Sequence, residues 1–250
     1  MVLTTDSPIF NYKLILEYDG SKFYGWQVQP GMRTVQGEVE NALQILFRES
    51  IRVNVAGRTD AGVHALGQVI NFRTAVELPL AGMSRSLNGI LSHDVVVKKV
   101  ELAPADFHAR HDAKSRQYFY VLSKFPVAVG RHYAFFCKFP LDVAAMREAS
   151  QHLLGEHDFR AFCDASSEDP HYLSRMELID WEETEERLKL IIRANRFLRS
   201  MVRIIVGTMI DVGRGKLTPP QVKDILDSRR RTEASFTAPP HGLFLEKVFY

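Results

Sequence analysis

The first hundred residues alternate between short hydrophobic runs and amphipathic stretches. Runs rich in aliphatic and aromatic residues, with the length of β-strands, lie at residues 12–18, 51–55, 68–72 and 95–101. Apolar residues recur at helical spacing in residues 35–47 and 80–91, and Thr34 is a suitable N-cap for the first of these helices. The order strand, helix, strand, strand, helix, strand is that of ferredoxin-like domains.

The second half of the chain repeats this order. Strands are predicted at residues 117–122, 175–182, 188–194 and 243–250, and helices at residues 143–154, 197–212 and 219–228. We therefore expect an α+β fold of two ferredoxin-like (RRM-like) halves, with mainly antiparallel sheets and a central active-site cleft. The predicted domains are residues 1–104 and 115–250.

Residues 56–65 form a glycine-containing stretch, Ala-Gly-Arg-Thr-Asp-Ala-Gly-Val-His-Ala, between two predicted strands. Glycines allow positive φ and close backbone approach, so this loop can present Arg58 and Asp60 into a cleft. A carboxylate near a permanently charged guanidinium stays ionised, which suits a nucleophile better than a proton donor. The alternative is an ordinary turn in which Asp60 only hydrogen-bonds its own backbone.

The predicted helix at residues 197–212 is apolar nearly all round, which indicates a buried helix. Arg203 lies in its middle, one turn after Arg199. An unpaired buried guanidinium is very costly, so Arg203 must either meet an anion or extend to solvent. The sharper hypothesis is that Arg203 meets Asp60 across the cleft, which would keep the carboxylate ionised and fix its rotamer.

Two aromatic segments have both a structural and a functional interpretation. In the predicted strand that opens the second half, Arg116, Tyr118 and Tyr120 face the same way. They either pack against neighbouring strands or form an aromatic platform that stacks on or steers a base. Residues 19–29 mix glycine, aromatic and amide side chains, and this loop either grips RNA or packs against the core.

Composition narrows the class of protein without identifying a partner. The chain is 46% hydrophobic and 25% charged with a net charge of +2, which is typical of a soluble globular protein. No apolar run reaches the roughly 18 residues of a membrane span, and residues 1–6 lack the features of a signal peptide. Cys137 and Cys163 lack zinc-site spacing, and no nucleotide-binding glycine motif occurs, so we expect no metal, no cofactor and a cytoplasmic location. Arginines at residues 193–203 and 229–231 suit a polyanion partner or solvated helix surfaces equally.

Several motifs, in a fixed order over almost the whole chain, resemble those of the TruA-type tRNA pseudouridine synthases. They are Tyr18-Asp19-Gly20, Gly25-Trp26-Gln27, Thr34-Val35-Gln36, Gly57 to Ala65, Phe107 to Arg110, Arg116 to Tyr120, His157-Asp158-Phe159, Phe197 to Val206 and Gly242-Leu243. The Gly-Arg-Thr-Asp-Ala-Gly-Val-His motif within them is the most specific. The resemblance is therefore not carried by one short motif alone.

The resemblance implies the pseudouridine synthase fold and conversion of uridine to pseudouridine at positions 38 to 40 of the tRNA anticodon stem-loop. It also implies a homodimer that needs no cofactor. Asp60 matches the catalytic aspartate of the family, and Arg58 matches the arginine that holds the target nucleotide out of the stack. Tyr118 matches the active-site tyrosine, Arg203 the arginine that pairs with the aspartate, and Leu243 an apolar wall of the pocket.

Two other functions are compatible with parts of the sequence. Paired ferredoxin-like domains also serve as non-catalytic RNA-binding modules. A hydrolase of glycosidic bonds is the other alternative, but it usually needs two carboxylates, and no second acid here has a setting like that of Asp60. The run Ala-Pro-Pro-His at residues 238–241 departs from the family pattern at the edge of the implied pocket.

Overall fold

The structure is a computed structural model that describes residues 8–166 and 171–250, so the predicted lack of a signal peptide at residues 1–6 lies outside it. The described chain forms two compact units. The first ends at Ala113 and also includes Tyr250, and the second runs from Lys114 to Phe249. Tyr250 belongs to the first unit because its hydroxyl donates a 2.8 Å hydrogen bond to the carbonyl oxygen of Ala109 and its ring packs against Phe107.

The first unit is an antiparallel sheet with two connecting helices. In chain order its elements are β1 (Phe10–Tyr18), α1 (Val35–Phe47), β2 (Asn54–Val55), β3 (His64–Thr74), α2 (Met83–Ile90) and β4 (Val95–Leu102). Strand β1 pairs with both β3 and β4, and β2 pairs with β3, which gives the order β4-β1-β3-β2. The ferredoxin-like order predicted for this half is confirmed.

The core of the first unit follows from the alternation in β1 and the helical spacing in α1. Leu14 and Leu16 of β1 are fully buried. Helix α1 begins after Thr34, whose hydroxyl oxygen accepts a hydrogen bond from the Gly37 N–H, as predicted for an N-cap. The ring of Phe47 at the end of α1 makes edge contacts with the rings of Tyr12 and Phe72 on β1 and β3. Aromatic burial therefore joins the helix to the sheet, and each such ring contributes about 1.5–3 kcal/mol.

The second unit repeats the same order with additional elements. They are β5 (Ser115–Ser123), β6 (Phe135–Phe136), α3 (Val143–Gln151), β7 (Gly155–Asp158), β8 (Leu173–Glu183), β9 (Arg187–Ala194), α4 (Met201–Gly213), α5 (Pro219–Ser228) and β10 (Leu243–Phe249). The strand order is β10-β5-β9-β8-β7, and each neighbouring pair is antiparallel. The short strand β6 pairs with β5 in parallel.

Helix α4 is the buried helix predicted from its apolar sequence, but it begins four residues later than predicted. All its residues except Arg203 and Asp211 are buried. The prediction of a helix from Phe197 is wrong because Ser200 adopts the left-handed conformation, with φ of 59°, and no helix continues through such a residue. Arg203 therefore lies in the first turn of α4 and not in the middle of a longer helix.

Other predicted elements differ from the observed ones at their ends. The strand predicted at residues 51–55 pairs with β3 only at Asn54 and Val55. Strand β3 extends beyond the predicted residues 68–72 in both directions, because the residues around this core, such as Ala65 and Thr74, also pair with β1. Sequence periodicity locates the apolar centre of an element better than its ends.

Three further features bear on the predicted class of protein. Cys137 and Cys163 are free and buried. Within residues 8–166 and 171–250, no helix has the length and apolar character needed to cross a membrane. The same residues contain no group of three or more His, Cys, Asp or Glu side chains arranged to hold a metal ion.

Helix α4 packs closely against the backbone at Phe236, and this leaves no room for a side chain at Gly207. A Cβ added to Gly207 would lie 1.8 Å from the backbone oxygen of Phe236, whereas one added to the exposed Gly89 of α2 would meet nothing within 4 Å. We therefore expect Gly207→Ala to destabilise the protein by about 2–4 kcal/mol, because the backbone at Phe236 must move. Gly89→Ala is the matched control, and it should stabilise α2 by about 0.5–1 kcal/mol. Thermal unfolding of the two variants tests this, and equal melting temperatures would contradict it.

Candidate active site

The loop that carries Arg58 and Asp60 connects β2 to β3 in the first unit. It turns where the Val63 N–H donates a 3.2 Å hydrogen bond to the carbonyl oxygen of Asp60. Gly62 within this turn has φ of 79°, so the positive φ expected of a glycine in this loop is present. The Arg58 side chain is exposed and Asp60 is half-buried. The loop therefore holds a carboxylate and a guanidinium within reach of a bound molecule.

Buried hydrogen bonds fasten this loop on both sides of Arg58. The hydroxyl of Tyr18 and the Oγ1 of Thr59 lie 2.8 Å apart and share a hydrogen bond. The Nε2 of Gln68 donates to the carbonyl oxygen of Gly57 at 2.8 Å and to the hydroxyl of Tyr18 at 3.2 Å. Tyr18 and Gln68 are buried on strands β1 and β3. Their hydrogen bonds therefore attach the loop to the sheet and restrict its movement.

Residues 19–29 form the other support of the loop. The Trp26 N–H donates a 3.0 Å hydrogen bond to the carbonyl oxygen of Thr59. Gly25, with φ of 85°, allows this approach, because a Cβ there would lie 2.9 Å from the same oxygen. Phe23 and Trp26 are buried, whereas Tyr24 is exposed. Phe23 and Trp26 therefore pack against the core, which is the structural interpretation of residues 19–29. The side chain of Tyr24 is accessible to a partner.

In the second unit, the predicted common face of β5 is confirmed. Arg116, Tyr118 and Tyr120 alternate with half-buried residues and are themselves buried. The ring of Tyr118 makes an edge contact with the ring of Phe197 at 5.1 Å between centroids. Leu243, the first residue of β10, is buried and lies opposite Tyr120 in the sheet. Tyr118 and Leu243 are thus held on adjacent strands.

Arg203 is half-buried and fixes the segment that precedes β10. Its Nε donates a 2.8 Å hydrogen bond to the carbonyl oxygen of Ala238, and the Ala238 N–H donates back to the carbonyl oxygen of Arg203 at 3.0 Å. The hydroxyl of Tyr120 donates to the carbonyl oxygen of Pro239 at 2.8 Å. Burial raises the pKa of Tyr120, and the nearby Arg203 charge only partly opposes this, so the phenol keeps its proton and remains a donor.

The structure thus assembles the predicted residues as two sets. Arg58 and Asp60 share a loop of the first unit, and Tyr118, Arg203 and Leu243 lie together in the second unit. The predicted Asp60–Arg203 pair joins residues of different units and stays a prediction.

Sequence reasoning missed the roles of Tyr18, Gln68 and Tyr120 in supporting these residues. Gln68 and Asn71 are the polar residues of the predicted strand 68–72, and this was a signal for Gln68, since buried polar side chains are hydrogen-bonded. The sequence pattern gave no sign that Tyr120 has a supporting role different from the role of Tyr118.

Burial of Tyr18 gives the stability of the fold a specific pH dependence. It raises the pKa of Tyr18 from 10.0 to about 12, although the hydrogen bonds to Thr59 and Gln68 partly oppose the shift. Because the folded pKa exceeds the unfolded one, the stabilising contribution is complete below about pH 10 and is lost as the pH rises toward 12. Tyr18→Phe has no such proton, so between about pH 10 and 11 its free energy of unfolding should fall less steeply, by up to about 1.4 kcal/mol per pH unit.

Denaturant unfolding at a series of alkaline pH values measures this difference. Tyr24→Phe is the matched control, since Tyr24 is exposed and should keep the wild-type slope. Parallel pH profiles for the wild type and Tyr18→Phe would contradict the prediction.

A family model described as tRNA pseudouridine synthase matches residues 14–112 and 149–250 of this chain. Arg58 and Asp60 lie within the first matched range, and Arg203 and Leu243 lie within the second. Tyr118 lies between the two ranges, so its assignment depends on the motif and the geometry of β5 alone.

Curated relatives match over nearly the full length of the chain. The protein named tRNA pseudouridine synthase A from Bacillus subtilis is 45% identical over 95% of this chain and 98% of its own length. The proteins of the same name from Bacillus velezensis and Brevibacillus brevis are 46% and 44% identical, with the same coverage of both chains. By the family model and by these relatives, the chain belongs to the tRNA pseudouridine synthase family.

Proposed function

We propose that this protein isomerises uridine to pseudouridine at positions 38 to 40 of the tRNA anticodon stem-loop, with Asp60 as the catalytic carboxylate. The observation that carries the proposal is the fastening of the Asp60 loop by Tyr18, Gln68 and Trp26. A reacting carboxylate must keep one orientation while the substrate changes around it, and rigid support of this kind provides that.

The reaction breaks the bond between C1′ of the ribose and N1 of uracil, turns the freed base and joins C1′ to C5. The hydrogen on C5 leaves as a proton and the freed N1 takes up a proton, so the product is an isomer of the substrate and no external reagent is consumed. A carboxylate can promote this by attacking the sugar, by adding to the base or by abstracting a sugar proton. Each route needs an ionised, oriented Asp60. One carboxylate is enough, because it acts either as a general base or as a nucleophile.

The other four residues would bind the substrate. A uridine within a stem must first leave the stack, which costs a few kcal/mol. Arg58, exposed beside Asp60, would occupy the space that the uridine leaves and so hold it out of the stack. Tyr118 would contact the uracil ring, Leu243 would form an apolar wall of the pocket, and Arg203 would pair with Asp60. This division of roles follows the family resemblance and is compatible with the exposure and support of each side chain.

The proposed biological setting is a cytoplasmic homodimer acting on tRNA without a cofactor. The free thiols of Cys137 and Cys163 are compatible with a reducing compartment. The homodimer and the stem-loop positions rest on the family resemblance. Phosphate contacts would make tRNA binding depend on salt concentration.

Asp60→Asn should abolish turnover while tRNA affinity is kept. The amide has nearly the same shape but cannot act as a base or nucleophile, so we expect a loss of rate on the order of 10⁴-fold. Tritium release from tRNA labelled at C5 of uridine measures the reaction, and Asp106→Asn, an exposed acid of the same unit, serves as control. Tritium release by Asp60→Asn at the wild-type rate would remove Asp60 from the chemistry. Binding without release by the wild type would favour an RNA-binding module, and free uracil would indicate a hydrolase.

The sequence-predicted pairing of Arg203 with Asp60 has its own test. Arg203→Leu and Arg203→Glu both lose the hydrogen bond to Ala238, so the difference between them isolates the charge. We expect Arg203→Glu to lower the melting temperature more than Arg203→Leu, and this difference to shrink in an Asp60→Asn background. If Arg203→Glu and Arg203→Leu lower the melting temperature equally, both in the wild type and in Asp60→Asn, the pairing is contradicted.

A further inference from the structure

Residues 135–139, Phe-Phe-Cys-Lys-Phe, and the C-terminal end of helix α4 border a cavity of about 260 Å³ that the proposed catalytic residues do not use. Its walls are mainly apolar: Phe135, Phe136, Phe139, Phe236 and Ile210. Lys138 and Arg214 also line it. We call it the aromatic cavity.

One wall of the aromatic cavity, residues 135–137, is hydrogen-bonded to strand β5. Phe135 and Phe136 form strand β6, which pairs with Leu122 and Ser123 of β5. The N–H of the buried Cys137 donates a 3.0 Å hydrogen bond to the carbonyl oxygen of Ser123. These bonds fix the backbone that carries Phe135 and Phe136.

Three large aromatic side chains around this cavity remain exposed. Phe136 and Phe139 are each 38% exposed and Phe236 is 42% exposed. Exposed rings that surround a preformed cavity mark an interaction site more strongly than isolated exposed apolar residues do. The cavity therefore has the character of a binding site for a flat apolar group.

The charge around the cavity is positive. From residue 124 to residue 139 the chain contains Lys124, Arg131 and Lys138 and no acidic residue. Lys124 is paired with Glu183 at 2.6 Å, and Lys138 is the cation of this segment that lines the cavity. The Arg214 guanidinium lies 3.6 Å from the centroid of the Phe139 ring, and the Lys138 ammonium lies 5.2 Å from the same centroid. Aromatic rings combined with cations are the composition that binds single-stranded nucleic acid, in which bases stack and phosphates are neutralised.

Asp211 is the neighbouring acid, and it does not cancel this charge. It lies 3.3 Å from the guanidinium of Arg214 and 3.6 Å from the ammonium of Lys216. One carboxylate therefore faces two cations, and Lys138 adds a third.

The size and location of the cavity narrow the ligand further. Its volume lies just below the range of about 300–1,000 Å³ that holds drug-sized ligands, so it suits one ring system and not a whole oligonucleotide. The ring of Phe135 lies 6.2 Å from that of His241, and the ring of Tyr133 lies 6.4 Å from that of Phe244. The cavity wall thus borders the segment that carries Leu243.

We propose that the aromatic cavity binds one unstacked nucleobase of the RNA substrate, other than the uridine that reacts, while Lys138 and Arg214 contact the adjoining phosphate. The inference rests on the proposed function, because it takes RNA as the substrate. It adds a second subsite, formed entirely by the second unit, that would hold the substrate strand while the target uridine is out of the stack.

Two substitutions test the base and the phosphate contact separately. Phe139→Ala removes a stacking ring, and Lys138→Glu reverses an exposed charge. We expect each to weaken binding of the tRNA by about 5- to 100-fold, with the kinetic effect mainly in KM. Lys138→Glu should also reduce the slope of log affinity against log salt by about one. Ile45→Ala and Arg85→Glu, which alter exposed residues of α1 and α2, are the matched controls and should leave both quantities unchanged.

Photocrosslinking locates the contact without any use of activity. Stem-loop RNA carrying 5-iodouridine at one position at a time is irradiated with the wild-type protein, and the adducts are mapped by mass spectrometry. Adducts within residues 135–139 or at Phe236 are expected from one RNA position. Unchanged affinity in both variants, with adducts only elsewhere, would overturn the proposal.

Two remaining outcomes separate this inference from its alternatives. If Phe139→Ala changes the mass of the free protein in sedimentation while RNA adducts avoid the cavity, the face is a contact between copies and the proposal is overturned. If adducts map to the cavity but the wild type releases no tritium, the proposed isomerase activity fails and the RNA subsite stands.

Discussion

The hydrogen bonds of two buried side chains, Tyr18 and Gln68, hold the loop on which the candidate chemistry depends. They connect the first unit's sheet to Thr59 and Gly57, the residues on either side of Arg58. Without them, the loop would lose its side-chain hydrogen bonds to the sheet and keep its backbone contacts with residues 19–29 and with Val69. An isolated turn with the same sequence would sample several orientations of Asp60, and each would have to be selected again on substrate binding.

This support has a cost that the rest of the core must offset. Gln68 uses its amide N–H groups for Gly57 and Tyr18, but its Oε1 is buried without a hydrogen-bond partner among the described residues. An unsatisfied buried acceptor costs about 1–3 kcal/mol. An apolar residue would avoid this cost, but it could not donate to the carbonyl oxygen of Gly57. Gln68 therefore lowers the stability of the fold but supplies the N–H donor that holds the carbonyl oxygen of Gly57 in the loop.

Sequence periodicity predicted the repeated ferredoxin-like order, the Thr34 cap and the common face of Arg116, Tyr118 and Tyr120 on β5, because each depends on local spacing. It failed at the start of α4, since apolar residues continue through Phe197 and Leu198 although the left-handed Ser200 interrupts the helix. It also missed Tyr18, Gln68 and Tyr120. Their partners lie 41, 11 and 119 positions away in the chain, and no local pattern encodes such contacts.

Both units fix their candidate residues by donating hydrogen bonds to backbone carbonyl oxygens, namely those of Gly57, Ala238 and Pro239. A carbonyl acceptor does not titrate, and a short buried hydrogen bond is little affected by salt. The internal geometry of each unit should therefore change little over the pH and ionic strength at which RNA binding changes strongly. Any steep salt dependence of the activity then reports contacts with RNA phosphates, and the aromatic cavity with Lys138 and Arg214 is one such place.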